Sequence, residues 1–215
     1  MEVYAEFYEE VGLQYRTKTI LRFGSSWDLI GSVIMKNPGS AKPIKKINQE
    51  QLQLITKFYN KEINPDNWFV FKDDNTMKRI ASIFNGNYIG KDIKLEGVIQ
   101  IFNLFNIREA KFFKAIELAN QSDSKFLLPD VDETISLLKN KPAFLAFRWE
   151  YTNKTNRHQN KIENFTRIIF NHVKESEFMY LHPDILENNF YHPFGMYINC
   201  AKNIPVLEKF ISFYE

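Results

Sequence analysis

The chain has 215 residues, of which 44% are hydrophobic, so it can form one large domain or two small ones with a packed core. Its formal net charge of +2 excludes a polycation, and any nucleic-acid surface would have to be a local basic patch. The single cysteine excludes an intramolecular disulfide and favours a reducing compartment. Without a signal-peptide core or a run of about 20 apolar residues, we expect a cytoplasmic protein with no membrane span.

The first β-forming stretch, residues 14–23, is rich in residues that favour strands and predicts an edge strand of a sheet. Its basic residues Arg16, Lys18 and Arg22 are expected on or near the solvent side, because charged side chains protect a sheet edge from pairing with another chain. Gly24 and the two serines after it predict a turn at the end of this strand.

The stretch 32–41 is the part of the chain on which the functional prediction depends. Residues 33–35 form an apolar run typical of a strand that is covered on both faces. Asn37 and the Pro-Gly after it end this strand, since proline lacks an N–H and glycine permits positive φ. Ligands bind outside the carboxyl ends of strands in open parallel sheets, so Asn37, Gly39 and Ser40 are candidate binding residues, with a simple turn as the alternative.

Buried strands and amphipathic helices alternate along the rest of the chain. Apolar runs predict further core strands at residues 97–103, 142–147 and 178–181. Helical periodicity and capping residues predict helices at residues 49–60, 112–120, 130–138, 162–173 and 205–214. A further helix is predicted between an N-terminal cap at residues 73–75 and a stop at residues 85–86. This order predicts an α/β fold: a single three-layer α/β/α domain over residues 1–215, with a mostly parallel central sheet of about four strands.

Charged residues near the Asn37 turn allow two interpretations each. Lys42, Lys45 and Lys46 follow the turn and form either a solvated loop or contacts to phosphate groups. The pair Asp73-Asp74 precedes a predicted helix, where it either caps the N-terminus or supplies a carboxylate to a nearby site.

Polar residues follow the ends of several predicted core strands. Asn37 follows one strand, Asn103 ends the next with Arg108 in the loop beyond it, and His182 and His192, each followed by proline, come after the last. The ends of parallel strands lie at one edge of a sheet, so these residues are expected to converge on one pocket. The histidines and the cysteine show no zinc-ligand spacing, and no phosphate-binding or dinucleotide glycine motif is present, so we expect no metal and no cofactor.

These motifs resemble, in order, those of an uncharacterised bacterial and phage family. Its pattern is Asn-Pro-Ser-x-Ala, Asp-x-Thr, Asn-Leu-Phe-x-x-Arg and a C-terminal His-Pro, and the resemblance spans about residues 14–198. After Asn-Pro, where that family usually has serine, this chain has Gly39, and its serine follows one position later as Ser40. The matching stretches are Tyr15-Arg16, Val33 to Ala41, Asp73 or Asp74 with Thr76, Asn103 to Arg108, and Tyr191 to Gly195.

The layout is also similar to the uracil-DNA glycosylase superfamily, in which a four-stranded parallel sheet lies between helices. Asn37-Pro38-Gly39 matches the motif after the first core strand of its mismatch-specific branch. Asn103 occupies the place where some branches bind the base. The superfamily histidine directly follows the last strand, which indicates His182. The His-Pro of the closer family precedes an aromatic or apolar run, which indicates His192, the residue that we favour.

The resemblance implies a DNA glycosylase that hydrolyses the N-glycosidic bond of a flipped-out, modified base, with a possible role in defence against phages whose DNA is modified. This chemistry requires groups that hold a water and groups that stabilise negative charge on the departing base. The expected residues are Asn37, His192 or His182, and Asp73 for catalysis; Asn103, Phe102, Arg108 and Gly39 for the base; and Ser40, Lys42, Lys45 and Lys46 for DNA phosphates.

The expected partner of the chain is DNA, and the expected state is a monomer. Two alternatives to a glycosylase remain open from the sequence. One is a non-catalytic nucleic-acid-binding protein that keeps the pocket without the chemistry, and the other is a hydrolase of free nucleosides or nucleotides.

Overall fold

The structure is a computed structural model that describes residues 1–139, 141–147, 157–175, 179–180 and 200–214. Its strands are β1 (Glu2–Glu10), β2 (Leu13–Phe23), β3 (Leu29–Met35), β4 (Pro43–Lys46), β5 (Trp68–Phe71), β6 (Gly97–Asn103), β7 (Ala143–Ala146) and β8 (Met179–Tyr180). Its α-helices are α1 (Gln49–Tyr59), α2 (Asn75–Phe84), α3 (Phe112–Asn120), α4 (Val131–Leu138), α5 (Gln159–Glu175) and α6 (Cys200–Ile211). Within the described ranges, the eight strands form one sheet in the order β4-β5-β1-β2-β6-β3-β7-β8.

The sheet is mixed, and its parallel part consists of the four core strands that the sequence predicts. β3 pairs in parallel with β6 and with β7, and β8 pairs in parallel with β7. The prediction of an α/β fold is therefore confirmed. The prediction of about four mostly parallel strands is wrong for the whole sheet, because β2, β1, β5 and β4 extend it through antiparallel pairs.

The N-terminal segment forms a strand that the sequence analysis missed. β1 and β2 make a hairpin that turns at Val11 and Gly12, both of which have positive φ. β2 therefore lies between β1 and β6, and the prediction of an edge strand is wrong. The predicted solvent side is also wrong, because Arg16 is buried, while Lys18 and Arg22 are largely covered and form ion pairs with glutamates.

Helices cover both faces of the sheet, because side chains along each core strand alternate between the faces. On one face, Val33 and Ile101 share a hydrophobic core with α2 and α6. On the other face, Ile34 and Phe102 share a core with α3, α4 and α5, and Val98 shares one with α1. The carboxyl ends of β3 and β6 consequently lie between helical layers.

Capping side chains mark the N-termini of α1, α2 and α4. Asp74 caps α2 and Asp130 caps α4, each accepting a hydrogen bond from the N–H three residues later. The prediction that the last helix starts at Pro205 is wrong, since α6 begins at Cys200 and contains this proline. The missing proline N–H removes one backbone hydrogen bond, and burial of Phe210 stabilises the helix in spite of it. No helix in the described ranges is both long enough and apolar enough to cross a bilayer.

Candidate functional site

A cleft of about 320 Å³ lies at the carboxyl ends of β3 and β6, beside the N-termini of α2 and α3. This is the position at which ligands bind in open α/β sheets. The cleft brings together Asn37, Gly39 and Asn103, three of the residues that the sequence analysis expects to converge. Its described lining residues are Arg16, Met35, Lys36, Asn37, Gly39, Asp74, Thr76, Met77, Ile101, Asn103, Glu109, Ala110 and Phe112.

The side chain of Asn37 joins the loops that follow β3 and β6. Its Nδ2 donates hydrogen bonds to the backbone carbonyls of Pro38 (2.9 Å) and Glu109 (2.8 Å). The Pro38 carbonyl also accepts a hydrogen bond from the Glu109 N–H (3.2 Å). These bonds fix the orientation of the carboxamide. Its Oδ1 has no hydrogen-bond partner among the described residues and can accept a bond from a water or a ligand in the cleft.

Two buried side chains of the cleft carry donors without acceptors. Arg16 is 4% exposed and Asn103 is 2% exposed. Within the described part of the chain, Nε and Nη1 of Arg16 and Nδ2 of Asn103 have no hydrogen-bond partner. An unsatisfied buried polar group costs about 1–3 kcal/mol, and a charged one costs more, so such atoms in a cleft indicate a binding site.

The guanidinium of Arg16 keeps its charge at neutral pH in spite of its burial. The pKa of Arg16 is lowered to about 10, and burial is the largest cause. The Asp74 carboxylate raises the pKa and the Arg108 guanidinium lowers it, both by less than burial does. The ring of Phe71 lies beneath the group, with its centre 5.7 Å from the guanidinium carbon. The cleft therefore contains a cation that is held against an apolar wall.

A β-bulge places Arg16 in the cleft. Glu6 pairs with Lys18 while Phe7 pairs with Arg16, so Thr17 is an extra residue in β2. Regular alternation along β2 would direct Thr17 to the cleft side. The bulge places Arg16 there and turns the Thr17 hydroxyl toward Glu6, to which it donates a hydrogen bond (2.6 Å). The prediction that Arg16 lies on or near the solvent side is wrong for this reason.

Of the two aspartates considered from the sequence, Asp74 lines the cleft and Asp73 does not. Asp74 Oδ1 accepts a hydrogen bond from the Met77 N–H (2.9 Å), and its other oxygen lies 3.5 Å from where a Cβ on Gly39 would be. Asp73 instead approaches Lys78, with Oδ2 3.7 Å from Nζ. The bare backbone of Gly39 leaves the Asp74 carboxylate accessible from the cleft, so Asp74 both caps α2 and serves the site.

The aromatic ring of the cleft is Phe112, whereas Phe102 lies elsewhere. Phe102 belongs to the core on the opposite face of the sheet, because it alternates along β6 with Asn103, which faces the cleft. The structure therefore does not bring Phe102 to the place where a base would bind. Phe112 starts α3, and Lys36 Nζ lies 4.9 Å from the centre of its ring.

Arg108, a predicted base-binding residue, lies outside the cleft lining and holds the backbone after the Asn37 turn. Its Nε donates to the Ala41 carbonyl (2.8 Å) and its Nη2 to the Ser40 carbonyl (2.5 Å). Its Nη1 donates to Gln14 Oε1 (2.7 Å). These contacts indicate that Arg108 fixes the loop and does not face a ligand.

The lysines predicted to contact phosphates are exposed, and they lie on or beside an edge strand. The loop interpretation is wrong for Lys45 and Lys46, which belong to β4, a strand that pairs antiparallel with β5. Lys46 forms an ion pair with Asp66 (2.5 Å), and Lys42 directly precedes β4. None of these lysines lines the cleft, so their proposed contact with DNA phosphates stays a prediction.

Several cleft residues were missed, and two of them were signalled by sequence context. Glu109 directly follows Arg108 in the loop motif, and Phe112 begins a helix just beyond a strand end. Arg16 belongs to one of the matching motifs, Tyr15-Arg16, but its place in the cleft could not be predicted, because a bulge is not visible in alternation. The predicted histidines, His182 and His192, lie outside the described residues, and their place relative to Asn37 stays a prediction.

Comparisons with protein-family models, with curated proteins and with solved structures found no match for this chain.

Proposed function

We propose that this protein is a DNA glycosylase that hydrolyses the N-glycosidic bond of a flipped-out, modified base. The observation that carries the proposal is a pair of carboxamides, Asn37 and Asn103, at the ends of adjacent parallel strands in one cleft. The cleft volume of about 320 Å³ is at the small end of the roughly 300–1,000 Å³ of small-molecule sites, which suits one flat ring. A parallel block of four strands between helices is a further support, since the resemblance to uracil-DNA glycosylases implies such a core.

In the proposed reaction, Asn37 and Asp74 act on the water and on the sugar. The fixed Oδ1 of Asn37 holds the attacking water, and the Asp74 carboxylate faces the positive charge that develops on the sugar as the bond breaks. The water oxygen bonds to the sugar carbon and loses a proton, for which Asp74 is the acceptor. The base leaves with the bonding electrons and takes up a proton. Asp74 thus has the role that the sequence analysis gave to Asp73.

The base itself is proposed to bind between Phe112 and Asn103. An aromatic ring offers a stacking surface to any flipped base, and a carboxamide offers both a donor and an acceptor to its edge. The histidine at 192, or the one at 182, is predicted to donate a hydrogen bond to the departing base. A neutral imidazole N–H in that place would stabilise the developing anion.

The proposal is tested with purified full-length protein and oligonucleotides that contain uracil, mismatches or glucosylated hydroxymethylcytosine. We expect abasic sites on at least one of these substrates, measured as strand cleavage in alkali. Asn37→Ala should lower the rate by about 10²–10³-fold, the size of effect seen when one oriented polar group is removed from an active site. Asn87→Ala is the matched control, because Asn87 is exposed and does not line the cleft.

Two results would contradict the glycosylase proposal. One is the absence of abasic sites on every substrate, and the other is an Asn37→Ala variant that cleaves as fast as the wild type. A non-catalytic DNA-binding protein would instead show salt-dependent binding that survives both Asn37→Ala and His192→Ala.

A hydrolase of free nucleosides is the second candidate, and the charge of the cleft favours it. The described lining has two cations, Arg16 and Lys36, and two anions, Asp74 and Glu109, so it offers no net positive charge to a DNA strand. This candidate predicts release of a free base from nucleosides, measured by chromatography. It also predicts no retention of DNA at about 0.1 M salt, where phosphate contacts still act.

A further inference from the structure

The unsatisfied donors of the cleft show which kind of chemical group it is built to bind. Arg16 and Asn103 are both more than nine-tenths buried, they lie on adjacent strands, and both line the cleft. Three of their nitrogen atoms lack an acceptor within the described ranges: Nε and Nη1 of Arg16 and Nδ2 of Asn103. Buried polar groups are nearly always paired with protein or ordered water, so a ligand that displaces water here gains affinity by supplying acceptors.

The charges around these donors argue against phosphate as that ligand. Asp74 is close enough to Arg16 to raise its pKa, and Glu109 also lines the cleft. A phosphate dianion next to Arg16 would be repelled by the Asp74 carboxylate, and the described lining has no net positive charge to compensate for this repulsion. A neutral group avoids this repulsion and can still accept hydrogen bonds from both donors.

We propose that Arg16 and Asn103 select the substrate by binding the acceptor-rich edge of a neutral heterocyclic base that carries a ring carbonyl. The carbonyl oxygen and a neighbouring acceptor bind the guanidinium and the carboxamide N–H groups. An amino group on the same edge can donate to the carboxamide oxygen of Asn103. Cytosine fulfils all three conditions on one edge, with its ring carbonyl, the neighbouring ring nitrogen and its amino group.

The β-bulge at Thr17 is the structural device that makes this selection possible. Without the extra residue, the cleft side of β2 would carry a short hydroxyl in place of a guanidinium. Bulges next to active sites commonly redirect a side chain in this way. The Phe71 ring below Arg16 supports the guanidinium without taking up its donors.

The inference deepens the proposed function, because it assumes that a base enters the cleft, but its test measures binding and not bond cleavage. The probes are free cytosine, uracil and hypoxanthine, compared with 4-aminopyrimidine, which is cytosine without the ring carbonyl, and with inorganic phosphate. Dissociation constants are measured by calorimetry on the full-length protein. We expect cytosine to bind more tightly than 4-aminopyrimidine and phosphate, and more tightly than uracil and hypoxanthine, which lack the amino group.

Substitution of Arg16 tests its role directly. Arg16→Met should weaken binding of that base about tenfold or more, the usual effect of losing one hydrogen bond from a charged group. The matched control is Arg22→Met, because Arg22 lies on the same strand and contacts Glu2 and Trp27 away from the cleft. Arg16→Lys is a second variant in case the first does not fold, and it should also bind weakly because an ammonium lacks the planar set of donors.

Thermal melting distinguishes a binding role from a structural one. A buried cation with unsatisfied donors destabilises the unliganded fold, so Arg16→Met should melt at or above the wild-type temperature.

Three binding results would each overturn the inference. They are wild-type affinity in Arg16→Met, binding of phosphate in place of the bases, and equal affinity for cytosine and 4-aminopyrimidine. If bases bind through Arg16 but no oligonucleotide loses a base, the inference holds and the glycosylase proposal fails.

Discussion

Asn37 shows why an amide, and not a carboxylate, stands at the end of β3. Its Nδ2 donates to two backbone carbonyls, from Pro38 and Glu109, and thereby ties the loop after β3 to the loop after β6. A carboxylate has no donor, so it could not make either bond. Asn37 also lines the cleft, where we propose that its oxygen holds the attacking water.

This geometry predicts the effect of Asn37→Asp. The carboxylate would face two carbonyl oxygens, so we expect the free energy of unfolding to fall by about 1–3 kcal/mol. Glycosidic cleavage should also fall, although aspartate is the stronger base, because the loops would no longer hold the oxygen in place. Urea unfolding and the alkaline cleavage assay measure the two effects, with Asn87→Asp as the control. A variant as stable as the wild type would refute this role of the amide nitrogen.

The connection between β2 and β3 is held by a side chain from the start of β6. Glu96 accepts hydrogen bonds from the N–H groups of Ser25 (2.6 Å) and Ser26 (2.7 Å). These bonds, from Ser26 first and then Ser25, lower the pKa of Glu96. Gly24 has φ of +64°, and a Cβ at this position would lie 1.9 Å from a carboxylate oxygen of Glu96. The turn therefore requires glycine for both its conformation and its close contact.

Comparison of two glycine substitutions separates these two requirements. Gly12→Ala introduces only backbone strain, because φ is +73° and nothing lies within 4 Å of the new Cβ, so we expect a loss of about 1–2 kcal/mol. Gly24→Ala should destabilise the fold more than Gly12→Ala does, because Glu96 must also move and give up its hydrogen bonds. Chemical denaturation measures both values. In a Glu96→Ala background the extra cost should disappear, and its persistence there would show that the contact is not the cause.

At the scale of the whole molecule, one buried tyrosine and three partly buried ones are expected to influence the response to alkali. Burial raises the pKa of Tyr4, Tyr8, Tyr59 and Tyr214 above the ordinary value of 10.0. A group whose pKa is higher in the folded than in the unfolded protein stabilises the fold below its unfolded pKa, and this contribution is lost as pH rises. Arg16 has the opposite effect on the pH dependence of stability, because burial lowers its pKa. The four tyrosines outnumber it, so we expect their effect to dominate.

We therefore expect the urea midpoint to fall steadily as pH rises from about 9 to 11.5. For each tyrosine that stays protonated in the folded protein, the free energy of unfolding falls by about 1.4 kcal/mol per pH unit above the pKa of that tyrosine in the unfolded chain. Tyr59→Phe removes one such group, so the decline should be shallower in this variant than in the wild type. Unfolding curves at pH 7 serve as the reference. An identical decline in the two proteins would show that Tyr59 is not a source of the alkaline instability.

The sequence by itself determined the elements with strong local signals. The core strands at β3, β6 and β7 and the boundaries of α1 to α4 follow from apolar runs and capping side chains, and these act within a few residues. The meeting of Asn37 with Asn103 also followed, because the ends of parallel strands share one edge of a sheet.

Only the tertiary structure decided which side chains face the cleft. The antiparallel half of the sheet depends on pairing with the N-terminal strand, and a one-residue bulge in that pairing brings Arg16 inside. Likewise Asp74 lines the cleft and Asp73 does not, and Phe102 lies on the far face. The physical reason is that strand side chains alternate with a period of two residues, so a shift of one residue, set by distant contacts, exchanges one face for the other.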